Sequence, residues 1–315
     1  MDCRKKILID TDIGDDIDDA FAILSAISLR FQIVGITTVF MNTAERARMT
    51  KKLLSLFDGC ENIPVFSGEG TPLAKSECVY PHLCQYTDDL EREEYSPDGN
   101  DAVSFIAQCC EKYGKDLTIA AIGPFTNIAE VIHRYPDALH MADKVVIMGG
   151  AYYRQYADWN VMCDVEAAEI MFSSLTNLEC IGADVTHRLI PAKELTQAVE
   201  RDNITHPGMK YLHELYTMWK DANDNPPFIL HDALVMHYIA DNSLCTMKKG
   251  HIEVITDGAA RGITLNSEAY SKAYMNNCYS QINLDLKASV AYEADVDKFG
   301  KNILNDISKY SNRGM

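Results

Sequence analysis

Short, largely apolar runs alternate along the chain with longer stretches that turn apolar at every third or fourth residue. Residues 7–9, 31–39, 63–66, 117–121, 144–148 and 178–181 are runs of the first kind, with the length and β-branched content of buried strands. Between them, 20–24, 44–57, 102–113, 127–134 and 166–172 repeat at helical spacing. Strand and helix in alternation predict parallel βαβ units. The expected fold class is α/β: a single domain, 1–315, with a largely parallel, Rossmann-like central sheet flanked by helices.

The spacing places Thr43 as the cap of the second helix, with Glu45, Arg46 and Arg48 outward and Met49, Leu53 and Leu54 inward. Further helices are expected over 192–199, 207–219, from His231 onward, and over 294–309, with strand-like segments at 251–256 and 279–286. The pattern fails over 68–100, which is rich in Pro, Gly, Tyr and acidic residues. A loop of that length predicts a lid, from which Tyr80, His82, Tyr86 and Tyr95 either line a pocket or anchor a surface excursion.

The first strand runs into Asp10, Asp12, Asp15, Asp16, Asp18 and Asp19, six carboxylates within ten residues, just before an apolar helix. In open α/β sheets that junction is the ligand-binding edge. No Lys or Arg lies between Lys6 and Arg30, and a helix N-terminus supplies only about half a charge. A hard divalent cation is the simplest local counter-charge, and calcium suits many carboxylates better than magnesium. Asp15, Asp16 and Asp18, taken singly, are equally well read as helix-capping residues. Asp10 and Asp12, next to Gly14, are harder to read that way. An EF-hand is excluded, because its sixth loop position would be Asp15 and its twelfth Phe21.

Composition narrows the partners. Lys and Arg number 29 against 46 Asp and Glu, a net charge of -17, which repels a nucleic-acid polymer but not a small neutral or cationic ligand. The ten cysteines include no CxxC pair, and no secretory leader or membrane-length apolar run is evident. A cytoplasmic protein with reduced thiols packed as core filler is expected. Two turns after strands, 122–127 and 149–150, expose carbonyls at the sheet edge. A second acidic junction opens the helix at His231-Asp232, where His231 is either a core residue beside Asp232 or a proton donor of suitable pKa.

IDTDIGDDIDDAFAI resembles the N-terminal segment of the inosine-uridine-preferring nucleoside hydrolases. In chain order ITTVFMNT, AIGPFTNIA, VVIMGGAY, DWNVMCDVEAA and LHDALVMHYI resemble further segments of that family, spanning Ile9 to Ile239. The resemblance implies the nucleoside hydrolase fold, a tightly bound Ca²⁺, and hydrolysis of ribonucleosides to free base and ribose, as in nucleoside salvage. A homodimer or homotetramer is expected with it. Residue by residue, Asp12 matches the general base and a metal ligand; Asp19, the Ile122 carbonyl and Asp232 match metal ligands. Asp18, Asn42 and Asn160 match ribose contacts, Asp158 stands where a glutamate is usual, and His231 matches the leaving-group acid.

The chain departs from the DTDPG-x-DDA pattern by two extra residues. Registered on the helix, Asp18 and Asp19 fill the family positions; registered on the strand, Asp16 is the ribose-binding aspartate. The usual HG-x-x-G loop is replaced by VYPHLCQY, and Met41 stands where glycine is common. The 68–100 loop and the surroundings of Trp159 and Trp219 are expected to contact the base. The mechanism implied is direct attack by water, with Asp12 taking its proton and inversion at the anomeric carbon. Two rivals are a Mg²⁺-dependent phosphohydrolase of the haloacid dehalogenase type, with Asp10 as nucleophile, and a non-catalytic ribose-binding homologue.

Overall fold

The computed structural model describes residues 4–74, 83–189, 193–201, 204–224, 226–267 and 286–311. Its strands are β1 (Lys6–Thr11), β2 (Gln32–Thr38), β3 (Val65–Ser67), β4 (Leu117–Ala121), β5 (Lys144–Met148), β6 (Leu178–Ile181), β7 (Cys245–Gly250), β8 (Ile252–Val254), β9 (Thr264–Asn266) and β10 (Ala288–Ala294). Eight of them form one sheet in the order β3-β2-β1-β4-β5-β6-β10-β7, parallel throughout except for the β7–β10 pair. The fold is therefore α/β with a mostly parallel sheet, as the apolar pattern predicts.

Successive side chains of a strand face opposite sides of the sheet. Ile7 and Ile9 pack into one core layer, and Leu8 into the other. All three are fully buried, worth roughly 1.5–3 kcal/mol each, and so fix where β1 ends and its acidic edge begins. The first layer is covered by α1 (Asp18–Ser28) and α2 (Thr43–Ser55). The second is covered by α3 (Ala102–Tyr113), α4 (Thr126–Arg134), α5 (Ala138–Met141), α6 (Trp159–Cys163) and α7 (Val165–Ser174). After β6 come α8 (Ala183–Thr186), α9 (Lys193–Val199), α10 (Pro207–Ala222) and α11 (His231–Ala240), and the last described helix is Val296–Ser311.

Several expectations need correction. Asn42, not Thr43, precedes α2, and no side chain caps it; the Thr43 hydroxyl instead donates to the Gly68 carbonyl at 3.0 Å. Arg46 does not face outward but is fully buried. The 251–256 segment contributes only β8, which pairs with β9 outside the main sheet. Most of 279–286, together with Tyr80 and His82, lies outside the described residues. Met41, where the family pattern has glycine, sits at φ 56, a left-handed conformation that glycine adopts without strain.

Residues 83–100 are fastened down at several points. Gln85 is buried and donates to the Leu215 carbonyl of α10 at 3.2 Å, while Lys52 of α2 pairs with Asp89 at 2.8 Å. Tyr86 donates to Glu91 at 2.6 Å and, with Tyr95, packs against the first core layer. Neither lines the cavity described next.

Candidate active site

The strand order reverses its direction of growth between β1 and β4, the place where open α/β sheets bind ligands. A cavity of about 490 Å³ opens there. Asp12 enters it just past β1, Ile122 just past β4, Met148 from the end of β5, and Ala183 just past β6. Asp18 and Asp19 reach it from the first turn of α1, and His231 and Asp232 from the first turn of α11.

One wall is acidic. Asp18, Asp19 and Asp232 are buried, and each offers an oxygen within 4.8 Å of the others. The Asp232 N–H donates to Asp18 Oδ2 at 3.3 Å, and the Thr11 hydroxyl donates to Asp19 Oδ1. Burial first, and then mutual repulsion, push Asp12, Asp18, Asp19 and Asp232 well above the ordinary carboxylate range. Such a set, all oxygen and short of positive charge, fits a hard divalent cation. The helix register thus brings Asp18 and Asp19 to Asp232, while Asp16 lines the cavity from an exposed position with Oδ1 taken by its neighbour Ile17 N–H at 2.6 Å.

The turn after β4 is held from across the cavity. Asn160 Nδ2 donates to the Ile122 carbonyl at 2.8 Å and to the Met148 carbonyl at 3.1 Å, tying the ends of β4 and β5 together. Asp158 caps the short α6 on which Asn160 sits, accepting from Asn160 N–H at 3.1 Å. Burial raises Asp158 despite its bonds from the Gly150, Val161 and Asn160 N–H groups. Asn42 stands half-buried before α2 and does not line the cavity.

Two acidic-loop residues have structural partners that the sequence did not disclose. Asp10 is fully buried, accepts from Thr37 at 2.6 Å and Asn127 at 2.7 Å, and ties β1 to β2 and α4. Desolvation raises it to about 7. It does not line the cavity, which removes it as a nucleophile. Asp15 pairs at 2.6 Å with Arg46, so the acidic loop does contain a guanidinium, delivered from α2.

The other wall is aromatic. The His231 ring meets His187 edge to face at 5.3 Å, and His187 stacks on Tyr156 at 5.5 Å with its Nδ1 on the Tyr156 hydroxyl at 2.9 Å. His231 Nδ1 lies 2.6 Å from the Thr186 hydroxyl. Burial, with His187 adding to it, pushes His231 down to about 4, so at neutral pH it is an uncharged imidazole. Trp159 lines this end and is 41% exposed. Trp219 does not reach it; that ring is buried between Tyr216 and Phe228. Tyr156, Thr186 and His187 were not anticipated from the sequence, though a signal existed: 183–187 directly follows a parallel strand.

The family model described as inosine-uridine preferring nucleoside hydrolase matches residues 7–301. The chain is 29% identical over 310 residues to a probable uridine nucleosidase 1 of Oryza sativa subsp. japonica, covering 93% of each. It is 28% identical over 311 residues to the inosine-uridine preferring nucleoside hydrolase of Leishmania major, covering 94% of this chain and 95% of that one. The solved structure of a purine-preferring ribonucleoside hydrolase from Gardnerella vaginalis superposes with a TM-score of 0.80 at 25% identity, over 98% of this chain and 100% of that one.

Proposed function

The chain belongs to the inosine-uridine preferring nucleoside hydrolase family, and from that membership we propose that the cavity at the β1/β4 edge cleaves ribonucleosides by calcium-dependent addition of water. The activity class, hydrolysis of N-glycosyl bonds in nucleosides, follows from the family itself. The convergence of Asp18, Asp19 and Asp232 from distant parts of the chain is the observation that carries the rest.

Asp12, Asp19, Asp232 and the Ile122 carbonyl are the groups that would hold the ion. When bound, calcium supplies positive charge against which water and the ribose hydroxyls are oriented. Asp12 takes a proton from the attacking water; of the side chains acting on it, only the Arg46 guanidinium favours its ionised form. Asp18 and Asn160 bind ribose hydroxyls, with Asp158 and Asp16, which also line the cavity, beside them; Asn42 lies outside the cavity and takes no part in this reading. The acidic wall stabilises the positive charge that builds on the ribose ring as the bond to the base breaks.

In the tautomer this role requires, His231 Nδ1 accepts from the Thr186 hydroxyl 2.6 Å away and the imidazole proton sits on Nε2, from which it can hydrogen-bond the departing base. Because His231 is uncharged at neutral pH, it assists the departing base as a hydrogen-bond donor through Nε2 and not as an imidazolium, since full transfer of its one ring proton would leave an imidazolate. The protein is expected to work in the cytoplasm as a homodimer or homotetramer. Direct attack by water inverts the anomeric carbon.

Free ribose released from inosine, uridine, cytidine and adenosine tests this reading. Activity should vanish with a chelator, return with Ca²⁺, and be lost in Asp12→Asn. Nucleoside binding without ribose release in the presence of Ca²⁺ would instead show a ribose-binding homologue. An Asp12→Asn enzyme as fast as the wild type would remove Asp12 from the base role.

A further inference from the structure

Arg46 has no exposed surface, yet it carries a charge and rises from α2 into the floor of the acidic loop. Its Nε donates to the Phe40 carbonyl at 2.8 Å. One terminal nitrogen donates to the carbonyls of Asp12 and Ile13, the latter at 3.0 Å, and the other to Asp15 Oδ2 at 2.6 Å. Four acceptors are therefore engaged by one planar group, which guanidinium geometry permits and an ammonium does not. Buried carbonyls at a turn need such donors, and the Asp12 and Ile13 carbonyls lie where the chain leaves β1 and begins a loop two residues longer than the DTDPG-x-DDA pattern.

We propose that Arg46 is a positioning residue for the cation site, fixing the Asp12–Ile13 backbone so that the Asp12 side chain is presented to the ion, with Asp15 of the lengthened loop as its counter-ion. This rests on the reading of the cavity as a cation site. Arg46 itself touches neither the cavity nor the reacting atoms. Its charge and its geometry act in opposite directions. As a fixed positive charge among the carboxylates it repels an incoming cation, so removing it on charge grounds alone would tighten binding. As the support of the Asp12 turn it favours binding, so replacing it would weaken binding.

Isothermal titration of the chelator-stripped full-length protein with CaCl₂ separates the two. Arg46→Lys keeps the charge and loses the fork. Calcium Kd should rise roughly 10–100-fold, the range seen when groups that orient a metal ligand are replaced. Arg46→Gln, which removes the charge, should also bind more weakly, opposite in sign to the charge effect. Circular dichroism establishes that each variant is folded, and either one suffices if the other is not. A purely structural role lowers Tm and leaves the Kd of the folded protein unchanged. An unchanged or tighter Kd in a folded variant overturns the proposal while leaving the cation reading intact. A wild type that binds no calcium overturns both.

Discussion

Gly123 offers a direct test of where the chemistry takes place. It follows Ile122 in the turn after β4, and a Cβ built on it would lie 2.8 Å from Val39 Cγ1, 2.9 Å from the Asp12 nitrogen and 2.9 Å from Asp12 Oδ1. Ordinary contact begins near 3.4 Å, so an alanine methyl must find about half an ångström. One of the two Asp12 atoms is backbone, so rotating the side chain does not relieve the clash; the strand end itself must shift. Catalytic groups tolerate about 0.5 Å of displacement, and an error near 1 Å costs on the order of 10²-fold. Gly123→Ala should therefore lower kcat/KM for ribose release about 10–100-fold, with overpacking costing roughly 1–3 kcal/mol of stability. Gly300→Ala in the last helix, with nothing within 4 Å of the new methyl, is the control and should leave activity unchanged. Wild-type kcat/KM in Gly123→Ala would mean that the position of Asp12 does not govern the reaction.

Two further substitutions probe the leaving-group end and the frame. His231→Ala should slow inosine and uridine by at least 10²-fold, within the range general acids contribute, but barely affect nitrophenyl riboside, whose leaving group needs no proton; equal losses on both would refute the acid role. Because His231 lies near 4, its titration should contribute no inflection to kcat/KM for inosine from about pH 5 to 8; an inflection there that His231→Ala abolishes would contradict the uncharged donor. Asp306→Ala removes the buried partner of His237 Nε2, at 3.0 Å, and of the Ser28 hydroxyl, at 2.6 Å, and thereby the polar link between the last helix, α11 and α1. Thermal or urea unfolding should show a loss of about 1–3 kcal/mol, the cost of leaving the buried Ser28 hydroxyl without its acceptor, and a loss below about 0.5 kcal/mol would show that the link contributes little.

The parallel half of the sheet was legible because its strands are buried on both faces and so read as largely apolar runs. β4, β5 and β6 have the bounds that pattern predicts, as does α3. β7 was not legible. Its sequence CTMKKG is half exposed and polar, as befits a strand at the edge of a sheet, and it pairs with β10 only through long-range contacts. Arg46 was misread for a related reason. Helical periodicity gives the direction of a side chain but not what lies there, and its acceptors at 12, 13 and 15 come from an earlier loop. The acidic residues at 12, 18 and 19 were found because they crowd one strand–helix junction and Asp232 because it opens an apolar helix, whereas His187, though it lies just past β6, and Tyr156 stand in segments with no cluster of like charges to mark them.

Charge explains why the site needs more than this chain supplies. Asp12, Asp15, Asp16, Asp18, Asp19 and Asp232 all line one cavity, and among the described residues the positive charge set against them is the Arg46 guanidinium and the N-termini of α1 and α11, each terminus worth about half a unit. Roughly two positive charges thus face six carboxylates. Arg46 is committed to Asp15 at 2.6 Å, so it shields the loop more than it does Asp18, Asp19 and Asp232. Those three keep the character of groups that are buried, crowded and reluctant to ionise. A divalent cation would meet their charge where their oxygens converge. On the proposed reading it would also keep Asp12 ionised as a base, so that binding the ion and activating the water would be two consequences of the same electrostatic deficit.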